Sequence, residues 1–121
     1  MAITKNIEID GKQVPFKASA ALPRVYRVEF GRDIFEDIFK LKTETDEENP
    51  DASGLTPETL TLFEDVAYTM AKHADDSVPD TVEEWLDGFD VFSIYFILPQ
   101  IVELWRLNEK TTVTPKKKVE T

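Results

Sequence analysis

The sequence predicts an α+β domain, mainly α, in which a small N-terminal β-hairpin packs on about four to five helices. Alternating apolar and polar residues are confined to the first 17 positions, whereas later apolar residues recur at helical spacings. A chain of 121 residues, 41% of them hydrophobic, suffices for one core of ordinary size. We therefore expect a single globular domain over residues 1–108 and a flexible, disordered basic tail over residues 109–121.

The β-hairpin is predicted over residues 3–17. The segment ITKNIEI carries isoleucines at odd positions, and Asp10-Gly11 after it is a strong two-residue turn signal. Pro15 lacks a backbone N–H, so the second strand should lie at an edge or pair only in part. A two-stranded ribbon is marginal on its own in water, and we expect it to pack against the helices.

Helical spacing predicts four helices before the C-terminal region. Gly31 suits the left-handed residue that ends the first of them, and Thr56-Pro57 is a helix entry with an N-cap and a proline at the first position. An acidic loop, residues 43–56, separates the second helix from the third. The four helices are expected at about residues 20–30, 33–42, 57–74 and 81–88.

A fifth helix is predicted over residues 91–108, with Asp90 as its cap. Its first part, VFSIYFIL, is apolar on all sides, which predicts central burial, and from Gln100 onward the pattern becomes amphipathic. Pro99 should kink this helix, since it removes a backbone hydrogen bond. Beyond Asn108 threonines and a proline disfavour helix, which is why we expect the tail to begin there.

The charge is unevenly distributed along the chain. Residues 29–90 hold nineteen acidic and four basic side chains, whereas the segments on either side are weakly basic. An acidic middle of this kind repels nucleic acid phosphates and anionic lipid, and no apolar run approaches the length of about 20 residues that spans a bilayer. We therefore expect neither nucleic acid nor membrane as a partner.

The residues that enzymes use are poorly represented. The chain has no cysteine and a single histidine, His73, and its glycines are too dispersed for a phosphate-binding loop. The loop sequence TDEENPDASG lacks the spacing and the final glutamate of a calcium loop. The acid pairs Glu36/Asp37 and Glu83/Glu84 are interpreted as solvated helix faces. We predict that the protein is not an enzyme and has no catalytic, cofactor or metal site.

Binding is the function that remains, and the C-terminal region has the apolar excess to support it. Large apolar side chains there exceed what one small core requires, which favours a surface for a partner or for self-association. The candidate residues for this surface are Phe92, Tyr95, Phe96, Leu104, Trp105 and Leu107.

Three stretches of the chain resemble the tail assembly chaperones of long-tailed, siphovirus-type phages and prophages of Gram-positive bacteria. They are the opening IEIDGKQVPFKASAALPRVYR, the segment PRVYRVEFGRDIFEDI (residues 23–38) and the segment IVELWRLNEKTTVTPKKK (residues 101–118). The acidic middle adds only helical character to this likeness.

The resemblance implies a non-enzymatic role in virion morphogenesis, without a cofactor. Members of that family coat the long helical tape measure protein and keep it soluble while the tail tube assembles around it. They act in the cytoplasm of the host bacterium and are absent from the mature virion. In many of them a −1 ribosomal frameshift near the end of the gene produces a longer form, whose extension is thought to recruit the tail tube protein.

The lysine run Lys116, Lys117 and Lys118 is the candidate position for such a frameshift, because adjacent lysine codons can form a run of adenines. An ordinary basic tail that aids solubility or touches the acidic middle is the alternative.

Two other functions stay open: an acidic DNA-mimic inhibitor, suggested by the charge of residues 29–90, and a small structural head–tail connector or tail protein.

Overall fold

The computed structural model of the protein describes residues 2–44 and 55–112, with side chains described as far as Trp105. Over these ranges the predicted fold class is confirmed: a hairpin of two antiparallel strands precedes five α-helices. The elements are β1 (Ile3–Ile9), β2 (Lys12–Ala18), α1 (Leu22–Phe30), α2 (Ile34–Glu44), α3 (Pro57–Ala74), α4 (Val82–Leu86), a 3-10 turn (Ile94–Ile97) and α5 (Leu98–Thr112).

The hairpin turns at Asp10-Gly11, as predicted. Both residues have positive φ, 56° and 78°, which is the backbone of the tight turns that match strand twist. The strands pair in register from Ile9 opposite Lys12 to Ile3 opposite Ala18. Pro15 is accommodated because each strand of a two-stranded ribbon has a free edge. On the inward face of the ribbon, Ile3 and Val14 are partly buried, and the fully buried side chains are Ile7, Ile9, Phe16 and Ala18.

Helix α3 is the centre of the molecule and runs over the predicted range. It contacts β2, α1, α2 and α4, and its buried side chains extend from Thr59 to Ala71. Thr56 caps its start, with the Thr56 hydroxyl accepting from the Thr59 N–H at 3.3 Å, and Pro57 occupies the first turn. Gly31 ends α1 in the left-handed conformation, with φ 70°, as the sequence predicts.

Helix α4 is shorter than predicted, with five residues and Thr81 as its cap. Its stability comes from Trp85, which is 5% exposed and stacks edge-on against three other rings. An isolated helix of this length is not stable in water, so tertiary packing holds it. The three rings around Trp85 are those of Phe16, Tyr68 and Phe89.

The prediction of one helix over residues 91–108 with a kink at Pro99 is wrong. Residues 91–97 form tight turns, and α5 begins at Leu98, so that Pro99 lies in its first turn. At that position a missing N–H costs nothing, because the first N–H groups of a helix have no partner inside it. Proline therefore starts this helix and does not bend it.

The prediction that the tail begins at residue 109 is wrong as well, because α5 continues to Thr112. Packing of the apolar stripe of α5 against the hairpin and α2 supports the helix from its N-terminal side, and helix propagation is cooperative. The rest of the predicted basic tail, and most of the acidic loop 43–56, lie outside the described residues.

Candidate interaction surface

Three of the six side chains predicted to form a partner surface are accessible, and two are not. Phe92 is 69% exposed and Phe96 is 61% exposed, while Tyr95 is half-buried. Leu104 and Trp105 were placed on this surface wrongly, since they are only 0% and 4% exposed and belong to the core. The side chain of Leu107 lies outside the described ones.

Expected central burial of VFSIYFIL is also only partly correct. In a 3-10 turn, residues three apart in sequence point in the same direction. Ile94 and Ile97 therefore both enter the core, followed by Leu98, while Val91, Phe92 and Phe96 remain exposed. The prediction failed for these three residues because a segment that is apolar on all sides does not indicate which of its side chains the rest of the fold covers.

The hairpin tip holds the segment that carries these aromatic residues. Asp10 accepts a hydrogen bond from the Asp90 N–H at 2.9 Å and another from the Ser93 hydroxyl. These two bonds lower the pKa of the Asp10 carboxyl, with the Ser93 bond contributing most. Tyr95 is held from the other side, because its hydroxyl donates to Glu64 at 3.0 Å. The segment is thus tied to β1 and to α3.

An open groove of about 380 Å³ lies between α4 and this segment, and we call it the 83–95 groove because its lining residues run from Glu83 to Tyr95. Its apolar lining comes from both sides, with Leu86 and Phe89 on one and Val91, Ile94 and Tyr95 on the other. Its remaining lining residues are all acidic: Glu83, Asp87 and Asp90.

A second exposed aromatic pair lies on α2. Phe35 and Phe39 are 55% and 65% exposed. Of the apolar residues of α2, the ones that face inward are Ile34, Ile38 and Leu41. Phe35 packs edge-on against Trp105 with ring centroids 5.6 Å apart. The signal for this exposure was present, because five apolar residues in eight positions exceed one helix stripe.

A partly buried polar network joins α1, α2 and α3. Arg32 donates from Nε to Asp37 at 3.0 Å and from a terminal nitrogen to Asp65 at 2.6 Å and to the Tyr26 hydroxyl at 2.9 Å. The Tyr26 hydroxyl donates in turn to Asp37 at 2.5 Å. Asp37 is only 5% exposed, so its interpretation as part of a solvated face is wrong.

Ionisation in this network follows from burial and pairing. Burial raises the pKa of Asp65, although Arg32 opposes this shift. Burial and the bond to Asp37 raise the pKa of Tyr26. For Arg32 burial opposes the charge, but the bonds to Asp65 and Asp37 outweigh it and raise the pKa. The network links the three helices through charged hydrogen bonds, and Tyr26, Arg32, Asp37 and Asp65 each have a partner within it.

A larger acidic groove, of about 460 Å³, lies where α1, α3 and α4 meet. Five carboxylates line it, but three are already engaged: Asp65 with Arg32, Glu64 with the Tyr95 hydroxyl, and Asp80 with Lys72 at 3.1 Å. Burial raises the pKa of Glu64. These bonds inside the molecule weaken the groove as a docking site for a basic protein.

His73 forms a hydrogen bond between its Nε2 and the Ser19 hydroxyl oxygen, 2.8 Å apart. The same Ser19 oxygen accepts from the Ala21 N–H at 3.3 Å, and the Ser19 carbonyl accepts from the Leu22 N–H. The pair therefore connects the β2–α1 turn to the end of α3. Burial lowers the pKa of His73, and Lys17 lowers it further. These contacts describe a structural role.

Within the part of the chain that the structure describes, no cluster of three or more acidic or histidine side chains is arranged to hold a metal ion. Among the same residues, no helix has the length and apolarity required to cross a bilayer. Comparison with protein-family models, with curated proteins and with solved structures gives no significant match. Any functional assignment therefore depends on the geometry and on the resemblance of the three sequence segments.

Proposed function

We propose that this protein is a phage tail assembly chaperone that binds the tape measure protein and keeps it soluble during tail morphogenesis. The observation that carries the proposal is the exposure of large apolar side chains on an acidic molecule. Seven of the described ones are at least 41% exposed, and four of these are phenylalanines. The exposed set is Val25, Val28, Phe35, Phe39, Val91, Phe92 and Phe96.

This combination fits a chaperone for a long helical client. Exposed aromatic residues bind the apolar face of a helix, which would otherwise aggregate. The net charge of −10 keeps many copies apart on one client, because like charges repel and oppose self-association. Such binding requires no reaction centre, no cofactor and no metal, and the proposal includes none.

Co-expression with a phage tape measure protein from the same genome tests the proposal directly. We expect the tape measure protein to move from the insoluble to the soluble fraction and to co-purify with the chain. The variant Phe92→Asp/Phe96→Asp should reduce this effect, and it should leave the fold intact because both residues are exposed. A tape measure protein that stays insoluble with the wild-type chain contradicts the proposal.

Purified virions provide the second measurement. A chaperone is shed, so we expect the chain in the host cytoplasm and not in mature particles. Detection of stoichiometric amounts in particles by mass spectrometry would favour a structural head–tail connector or tail protein.

The longer form is a separate part of the proposal. Lys116, Lys117 and Lys118 lie outside the described residues, so it depends on the nucleotide sequence. An uninterrupted adenine run over these codons with an open overlapping −1 frame is expected. Interrupted lysine codons without such a frame would eliminate frameshifting and leave the chaperone role untouched.

A further inference from the structure

We propose that the 83–95 groove binds a helical segment in which apolar side chains are flanked by lysine or arginine. The inference rests on the proposed function and names the chemistry of the client segment that this surface takes. It follows from the lining of the groove, from how firmly the groove is held and from its charge.

Exposed apolar side chains lie in the groove and beside it. Val91 is 73% exposed at the edge of the groove, and Phe92 and Phe96 are exposed on the same segment. Covering aromatic and aliphatic side chains of this size supplies most of the binding free energy of helix-in-groove complexes. The occupant must therefore bring apolar residues of its own, at the spacing of one helix face.

The groove is held in place before any partner binds. Phe89 stacks on the buried Trp85 with centroids 5.3 Å apart, which fixes the α4 side. The opposite side is tied to Asp10 and, through Tyr95, to Glu64. A surface that is ordered in advance loses less conformational entropy when a partner binds.

The charge of the lining selects among apolar partners. Glu83, Asp87 and Asp90 line the groove, and no lysine or arginine lies among its lining residues. A second copy of this chain would bring a body of net charge −10 toward the same carboxylates, and nucleic acid or anionic lipid would bring phosphates. A helix with basic residues beside its apolar face complements both the apolar lining and the carboxylates.

Two synthetic helical peptides of about 20 residues test this, since shorter isolated helices are marginal in water. Both carry the same leucines at i, i+3, i+4 and i+7, and their flanking residues are lysine in one and glutamate in the other. We expect calorimetry to show binding of the lysine peptide at least about tenfold tighter, with a difference that shrinks as salt is added.

Charge reversal in the groove gives the sharper test. The variant Glu83→Lys/Asp87→Lys should weaken the lysine peptide and strengthen the glutamate peptide, which a loss of folding cannot do. Val91→Asp, at an exposed residue of the lining, should weaken both peptides. Val28→Asp serves as the matched control, because Val28 is 77% exposed on α1 and does not line the groove. Its binding of both peptides should equal that of the wild type.

The inference is overturned if the two peptides bind equally, if neither binds, or if charge reversal leaves their order unchanged. Its failure is distinguishable from failure of the proposed function. If the chain keeps the tape measure protein soluble but binds neither peptide, the proposed function stands and the binding site lies elsewhere on the molecule. If the chain binds the lysine peptide but does not affect the solubility of the tape measure protein, the groove is a binding site and the tape measure protein is not its client.

Discussion

Asp10 at the hairpin tip accepts a hydrogen bond from the backbone N–H of Asp90, 2.9 Å away and eighty residues later in the chain. The same carboxylate accepts from the Ser93 hydroxyl. The turn between β1 and β2 thereby holds the turn that begins the exposed aromatic segment.

Replacing Asp10 should loosen the 90–97 segment. In Asp10→Ala both acceptors are lost, and we expect faster amide hydrogen exchange at Asp90 and at its neighbours. Asp10→Asn is the matched control, because asparagine tolerates the left-handed backbone and retains one carbonyl acceptor. Its exchange should lie between that of the alanine variant and that of the wild type. Unchanged protection in Asp10→Ala would show that this tie does not restrain the segment.

Removing the Arg32 guanidinium should destabilise the fold by about 2 kcal/mol, measured by urea unfolding of Arg32→Met. The loss leaves Asp37 and Asp65 buried without their cationic partner, which is costly. The expected value lies below that of a fully buried pair, because the Arg32 side chain is 36% exposed and solvent screens it.

Arg32→Lys is the control for that variant. It keeps the charge but loses the planar fork that reaches Asp37, Tyr26 and Asp65 together, so an intermediate loss is expected. A free energy of unfolding for Arg32→Met within about 0.5 kcal/mol of the wild type would mean that the network contributes little.

His73 should make the fold less stable as the pH falls. Its pKa in the folded protein is lower than the ordinary value of about 6.5, because burial and Lys17 disfavour the charged imidazole. The unfolded chain therefore binds this proton first. The contribution of His73 is complete above the unfolded pKa and is lost as the pH drops through the lower folded pKa.

The measurement compares the free energy of unfolding of the wild type and of His73→Gln between about pH 7.5 and about pH 5.5. Glutamine retains a hydrogen-bonding group for Ser19 but does not titrate. We expect the difference between the two proteins to shrink as the pH falls. Taking a difference also removes the opposing contributions of Glu64 and Asp65, whose raised pKa values favour the folded state in acid. A constant difference would contradict the prediction.

Local signals were sufficient wherever one short stretch controls its own conformation. Asp10-Gly11 specifies a tight turn, and Thr56-Pro57 specifies a capped helix start. Gly31 specifies a helix end with a residue in the left-handed conformation, and all three features are found as predicted. Each depends on the φ range or hydrogen-bonding groups of one or two residues, so these features can be predicted from neighbours in the chain.

The candidate surface was only partly predictable, because local apolar content does not indicate which side chains distant elements cover. Phe92 and Phe96 were correctly expected at a surface, but Leu104 and Trp105 are buried under contacts with distant elements. Nor did the pattern distinguish a proline that kinks a helix from one that starts it, as Pro99 does.

The amino-acid order was therefore enough to specify the hairpin, the central helix and the acidic character of the chain, because these follow from local backbone preference and from composition. Contacts between residues far apart in the sequence determined how these elements pack together. Asp10 meets Asp90 and Ser93, and Arg32 meets Asp65, across separations that no local pattern encodes. Packing of distant segments determines which apolar residues are left at the surface, and so where this protein can bind.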